Sequence, residues 1–528
     1  MNDVLIVIPA IKKNAVIPDQ LIKKLDGITL IQRAINTILE LNIDRKQVLI
    51  LTDSDEISLI AKRNNITCKK DKLLSLNSKN IIQETIDRTK EFSQKHMLLY
   101  RANTPLLGSD TIKLAYSKFS KLNNSLLISV KREIRNVYLI DDSKLKKIES
   151  QDLCDEIGAF YIFDKDSINE RNLMLVPFMI PDEKSIEIKS YQSWWVCEKI
   201  LQRRKIVFHV FGSIEIGMGH IYHSLSLAHN ITDHEVIFVC DEKYELAVKK
   251  IASTDYKVIV SNNIERTIFD INPDMVINDV LNTTDIFILK LKEKGISVIN
   301  FEDLGSGSKY ADVVLNELYE VPQHEGDNYY WGHKYLTLRD EFDDTKPNTF
   351  RGNVEEVLVI FGGTDQNNLT LKTVKSIINI CQVENIKINI ICGIGYLFLD
   401  ELKLYLSECE YKGIVLHYAI SSVSEIMEKS QLAISSNGRT IYELAEMNIP
   451  SIIVSHHERE STHDFAKLEK GFVNFGVVNN DTFSDIKNIF NKLVYDNDYR
   501  NILYTNISKY SFGKNKEKVL KLILSYLS

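Results

Sequence analysis

The sequence predicts an α/β chain built from three consecutive units. Short apolar runs alternate with amphipathic stretches, the pattern of buried strands joined by helices. That pattern restarts twice, at "KIVFHVF" (205–211) and at "EEVLVIFGG" (355–363). In the first unit "DVLIVIPA", "QVLILTDS", "HMLLYRAN" and "SLLISVK" read as strands of a largely parallel sheet, with "ITLIQRAINTILEL" and "EISLIAKRNN" as helices between them. A helix ending at the basic "QRRK" (202–205) closes this unit. In the second, "KIVFHVF", "EVIFVCD", "YKVIVS", "DMVINDV" and "SVINFED" are strands, and "YEVPQHEGDNYYWGHKY" is loop-like. The stretch 343–353, "DDTKPNTFRGN", reads as a linker. Beyond it "EEVLVIFGG", "INIICG", "GIVLHYA", "LAISSNG" and "PSIIVSH" repeat the scheme, and about 50 final residues read as closing helices. The units are 1–203, 204–345 and 352–528.

Composition narrows the function classes. A chain that is 44% hydrophobic and 26% charged is expected to be globular. Its net charge of −7 argues against a nucleic-acid binder. No apolar run approaches the ~20 residues of a membrane span, and "MNDVLIVIPAIKK" does not read as a signal peptide. Seven scattered cysteines without a C-x-x-C pair fit reduced thiols in a cytoplasmic protein.

In the first unit a lysine-bearing loop, "PAIKKNAVIPDQ", follows the first strand. A parallel sheet holds nucleotide phosphates there, although a solvated loop has the same composition. "LIVIPA", "LTDSDEISLIAKRNNI", "LLYRANTPLLGSDTI", "IGAFYIF" and "MIPDEKSIEIKSYQSWWVCEKIL" follow in an order that resembles the cytidylyltransferases which activate sialic acid and related 2-keto sugar acids. The resemblance implies a nucleotidyltransferase-like, Rossmann-type fold. It also implies CTP beside Lys12, Lys13, Asn14, Asp53 and Arg101, with Mg²⁺ at Glu187, and a possible homodimer through this domain. Against the family's A-R-x-G-S-K loop the sequence keeps Ala10 but departs at Ile11, Lys13, Asn14 and Ala15; it also departs at Gln20 in place of a lysine and at Lys189 in place of a metal-binding aspartate. Lys23 and Lys24 are further cations for phosphate.

The second unit opens with "GSIEIGMGHIYHSLSLA" (212–228). Gly217 and Gly219 permit a tight turn, and Ile221, Leu225 and Ala228 share one helical face. His220 falls at the helix start, where the dipole favours an anion and a neutral imidazole able to act as a general base. A capping or exposed histidine has the same spacing. This stretch, with "MVINDV", "INFEDLGSGSKYADVVLNELY", "WGHKYLTLRDEF", "LVIFGGTDQNNLTLK" and "ISSNGRTIYELAEMNIPSIIV", resembles the UDP-sugar hydrolase of pseudaminic acid biosynthesis. That enzyme belongs to the GT-B-like two-domain folds that include the peptidoglycan N-acetylglucosaminyltransferase. The resemblance implies His220 as catalytic base. It places UDP near Gly217, Gly219, Gly362, Gly363, Thr364, Ser436, Asn437, Gly438, Thr440 and Glu443, and marks Asp279 as a strand end. Phe211, His223, Val280 and Leu281 depart from the family's polar residues, which points to an altered sugar or to lost hydrolysis, not to lost nucleotide binding.

Together these features predict an enzyme of sialic-like (pseudaminic or legionaminic type) nonulosonic acid biosynthesis for surface glycans, pairing CMP-sugar synthesis with UDP-sugar hydrolysis. Its partners would be nucleotides and amino-sugar or keto-sugar-acid substrates, without nucleic acid or membrane insertion. A glycosyltransferase and a catalytically degenerate scaffold are the alternatives.

Overall fold

The computed structural model describes residues 3–12, 16–71, 81–133, 138–141, 144–147, 153–168, 170, 172–213 and 217–527. They form two compact units, Met1–Arg203 and Arg204–Ser528.

The first unit is a seven-stranded sheet. Its strands are β1 (Val4–Ala10), β2 (Val48–Thr52), β3 (Thr67–Lys70), β4 (His96–Tyr100), β5 (Ser125–Glu133), β6 (Leu153–Asp164) and β7 (Met174–Met179), in the order β7-β5-β6-β4-β1-β2-β3. Every residue of β1 is buried, as a central strand covered on both faces requires. The sheet is mixed: β6 runs antiparallel to both β4 and β5. The other four pairings are parallel, so the sheet is largely parallel as the sequence pattern predicts, and the reversal is confined to β6 because apolar runs do not encode strand direction. Helix starts follow local chemistry. Thr29 accepts from the Gln32 N–H, while Ser54 accepts from the Ile57 N–H with Asp55 and Glu56 in the first turn.

The second unit holds two all-parallel sheets. The first comprises β8 (Lys205–Val210), β9 (Glu235–Asp241), β10 (Val258–Ser261), β11 (Met275–Asp279), β12 (Ser297–Phe301), β13 (Val313–Asn316) and β14 (Tyr329–Trp331), ordered β10-β9-β8-β11-β12-β13-β14. Within the loop-like stretch, Tyr329–Trp331 is thus an edge strand, three aromatics with the β preference that lets so short a segment pair. The second sheet comprises β15 (Glu356–Ile360), β16 (Lys387–Cys392), β17 (Ile414–Tyr418), β18 (Leu432–Ser435), β19 (Ser451–Ser455) and β20 (Phe472–Val477), ordered β17-β16-β15-β18-β19-β20.

The linker separates the two sheets but not their cores. Leu318, Leu336, Leu338 and Phe342 pack with Leu358 of the second sheet and with Ile441 and Phe465 beside it. The last helix, Asn515–Leu524, returns to the first sheet, where Val519 and Ile523 join Ile206, Phe208 and Phe238. The expected closing helices therefore divide between the two cores. Arg500 secures the linker. It is 1% exposed and donates to the carbonyls of Leu493, Val494, Arg351 and Gly352. Arg500→Met is expected to leave these acceptors unpaired and to destabilise the second unit by about 3 kcal/mol, read by thermal unfolding. Among the described residues no helix is long and apolar enough to cross a membrane.

Candidate functional site

The second unit carries a cavity of about 470 Å³ lined from both of its halves. On the N-terminal side the chain leaves β8, turns at Gly217 (φ +92°) and enters the helix Gly219–His229. That helix has no side-chain cap at its start. Gly217, Gly219, His220 and His223 all line the cavity.

His220 is 8% exposed. Its ring stacks on Phe211, with centroids 4.8 Å apart, and its Nδ1–H donates to Asp279 Oδ1 at 2.5 Å. Asp279 ends β11 and is fully buried. Its other oxygen accepts from His223 Nδ1 at 2.7 Å and from Ser224 Oγ at 2.9 Å. Burial opposes the charge on Asp279, but the two imidazoles outweigh it and hold the carboxyl far below its usual range. Burial likewise opposes protonation of His220, yet the Asp279 charge and hydrogen bond win and raise its pKa. This corrects the expectation of an imidazole kept neutral by the helix start: a carboxylate in direct contact is stronger than a helix dipole. The bond through Nδ1 leaves Nε2 as the nitrogen not committed to Asp279. The Asp279 contribution to stability is lost as pH falls through its lowered pKa, and the His220 contribution is lost as pH rises through its raised one.

His223, one turn after His220, is 4% exposed and shares the same carboxylate. Its Nε2 lies 3.5 Å from Glu317 Oε1.

The opposite wall comes from the ends of β15 and β18. Gly362 (φ +75°), Gly363 and Thr364 form a turn facing the helix start, and a Cβ on Gly363 would meet Met218 Cβ at 3.4 Å. Ser436, Gly438, Thr440 and Glu443 line the same wall. Asn437 does not. It is fully buried and donates to the carbonyls of Glu460 and His463, so it ties two loops together instead of facing a ligand. Glu443 Oε1 accepts from Arg339 Nε at 2.8 Å. Arg439, from the same wall, reaches Glu302 and Glu317. The sequence marks Asp279 only as a strand end and gives Arg439 no role. An acid at the carboxyl end of a parallel strand is a usable signal for the first. The second has none, because its partners lie 122 and 137 residues away.

The first unit arranges its candidates differently. Lys13 and Asn14 lie outside the described residues. Asp53 Oδ1 accepts from the Lys12 backbone N–H at 2.8 Å, and Lys12 Nζ is paired with Glu56 at 2.7 Å. Glu187 Oε1 takes Arg101 Nη2 at 3.2 Å and Asn103 Nδ2 at 2.9 Å, while Oε2 takes Lys189 Nζ at 2.7 Å. With two cations on one carboxylate this set does not fit Mg²⁺, which needs acidic and water oxygens. Among the described residues no cluster of three or more His, Cys, Asp or Glu side chains suits a metal. Gln20, at the family's lysine position, is 5% exposed and donates to the Ile188 carbonyl, pinning this segment.

No protein-family profile matches the chain. An uncharacterized protein of Methanocaldococcus jannaschii is 32% identical over 285 residues, which are 50% of this chain and 58% of that protein. Spore coat polysaccharide biosynthesis protein SpsG of Bacillus subtilis is 21% identical, over 47% of this chain and 77% of that protein. The pseudaminic acid cytidylyltransferase and UDP-2,4-diacetamido-2,4,6-trideoxy-beta-L-altropyranose hydrolase of Helicobacter pylori is 28% identical over 34% of each. The chain is similar to proteins of surface-polysaccharide and pseudaminic acid biosynthesis. It spans less than two thirds of the first and third of these relatives. Among solved structures, MurG of Acinetobacter baumannii aligns with a TM-score of 0.43 at 13% identity over 61% of this chain and 99% of its own. CMP:2-keto-3-deoxy-manno-octonic acid synthetase complexed with CTP aligns with a TM-score of 0.30 at 9% identity over 38% of this chain and 98% of its own.

Proposed function

We propose that the chain is an enzyme of nucleotide-sugar metabolism for surface glycans, and that its second unit hydrolyses a UDP-sugar of the pseudaminic or legionaminic type. The observation that carries this reading is the His220–Asp279 pair on the wall of a cavity whose other wall is a glycine turn. A volume of about 470 Å³ suits a ligand of that size. The relatives' names support the same chemistry. In the proposed reaction a water oxygen bonds to the anomeric carbon as the carbon–oxygen bond to UDP breaks, and its electron pair leaves on the β-phosphate. His220 Nε2 accepts the proton released by the water, and Asp279 stabilises the imidazolium that results. The backbone at Gly362–Thr364 is positioned to meet phosphate charge.

The test is UDP release from a diacetamido-trideoxy UDP-sugar. Release without any acceptor sugar, abolished by His220→Ala, is the expected result. Release that requires an acceptor overturns hydrolysis in favour of glycosyl transfer. Because the base must be unprotonated and its pKa is raised, the rate is expected to climb with pH through a limb lying above the ordinary imidazole range of ~6.5. A pH–rate profile checks this.

For the first unit the engaged Glu187 favours a nucleotide-binding role over CMP-sugar synthesis. Incubation with CTP and a 2-keto sugar acid is then expected to release no pyrophosphate, with or without Mg²⁺.

A further inference from the structure

Arg439 stands at the entry to the Thr440–Glu446 helix in the C-terminal half of the second unit, yet its guanidinium ends in the N-terminal half. Its stem passes Gly219, where a Cβ would come to 3.9 Å. Nη2 donates to Glu302 Oε1 at 2.5 Å, and Nη1 donates to Glu317 Oε1. Glu302 is 4% exposed and Glu317 is fully buried. Glu302 holds its position with a backbone φ of +51°, a conformation that costs a non-glycine residue energy and is kept where surrounding structure fixes it.

His220 is faced by Asp279 from β11, by Glu302 from the segment after β12 and by Arg439 from the opposite half; His223, on its own helix, shares Asp279 and faces Glu317 after β13, and His463 acts on Glu302. Three buried carboxylates thus surround one arginine and two histidines. A buried carboxylate without a compensating cation is strongly unfavourable. The compensation comes from Arg439, from a proton on a histidine or, at Glu317, where burial pushes the carboxyl up, from a proton on the acid itself. With Arg439 in place, Glu302 and Glu317 are paired and Asp279 is the charged partner left to the ring. Without Arg439, Glu302 acts on the ring unopposed, which favours its protonated form.

We propose that Arg439 is a positioning residue for the base: by pairing the acids behind the ring from the other half, it sets the pH at which His220 can accept a proton. The proposal rests on the reading of His220 as base, and goes beyond it by assigning the control of that base to a side chain from the other half. The opposing influence of Arg439 and Glu302 on the His220 ring agrees in sign.

The experiment is the pH–rate profile of Arg439→Gln, with an NMR titration of His220 without substrate. The acid limb and the titration are both expected to move to higher pH by about one unit. The rate near neutrality then falls about tenfold, through kcat more than KM, and recovers in alkali. Adding Glu302→Gln restores the balance of charge and returns the limb towards its original place. A loss equal at every pH, with His220 titrating as before, overturns the proposal. Should Arg439→Gln fail to fold, Arg439→Lys keeps the charge but not the fork, and a smaller shift in the same direction is expected. An unmoved limb in that variant overturns it equally. Turnover that survives His220→Ala defeats the base reading alone, whereas an unmoved His220 titration defeats only the role of Arg439.

Discussion

Asp279→Asn is expected to lower UDP-sugar hydrolysis by about 10³–10⁴-fold while leaving UDP binding within a few-fold of the original. The carboxylate is fully buried, and each oxygen takes a histidine Nδ1–H, at 2.5 Å for His220 and 2.7 Å for His223. An amide of the same shape presents one oxygen and one NH₂. Whichever way it is turned, one histidine loses its acceptor and meets a donor, so the ring must change tautomer or tilt. If the oxygen stays with His220, the geometry survives, but the charge that stabilises the imidazolium is gone. Single-turnover UDP release measures the effect, and calorimetric titration with UDP provides the control. A loss of less than tenfold would remove Asp279 from the reaction.

Gly393→Ala is the second substitution with a large expected effect, and it acts on the nucleotide side. Gly393 follows β16 and lines the cavity. A Cβ there would stand 2.4 Å from the Gly363 carbonyl oxygen and 2.6 Å from its Cα. Both atoms are backbone, so no rotamer change relieves the clash, and the Gly362–Thr364 turn must shift. Overpacking of this kind costs about 1–3 kcal/mol. The same displacement is expected to weaken UDP binding by about tenfold or more, visible by calorimetry, with a lowered melting temperature. Unchanged affinity would mean that the turn does not hold the nucleotide. Gly217→Ala is a useful contrast. Nothing lies within 4 Å of its Cβ position, and only its φ of +92° resists the change.

Much of this molecule was legible in its sequence because buried parallel strands are written as continuous apolar runs. β1, with all seven residues buried, is the clearest case. Direction and membership at sheet edges were less legible. β6 reverses with no change in composition, and β14 is three aromatics inside an otherwise polar stretch. In the site, His220 was found from glycines and a helix start, which are local signals. The direction of its pKa shift is not legible locally, because it depends on Asp279, 59 residues away. Asn437 was read as a ligand contact from its place beside a helix start, but its amide satisfies two carbonyls in the interior. The acid–arginine cluster was invisible for a related reason. Charged residues at Glu302, Glu317 and Arg439 look like surface residues until the fold brings them together in the interior.

The returning C-terminal helix has a consequence in time. The first sheet of the second unit is complete in strands at Trp331, but its core takes Val519 and Ile523 from Asn515–Leu524. Ser297 Oγ also donates to the Tyr526 carbonyl. On a ribosome adding ~5–20 residues per second, roughly 180 residues and on the order of ten to forty seconds separate the last strand from the helix that covers it. For that interval the nascent sheet carries an uncovered apolar flank. Its window of exposure to aggregation and to chaperones is therefore set by translation speed across the intervening sheet.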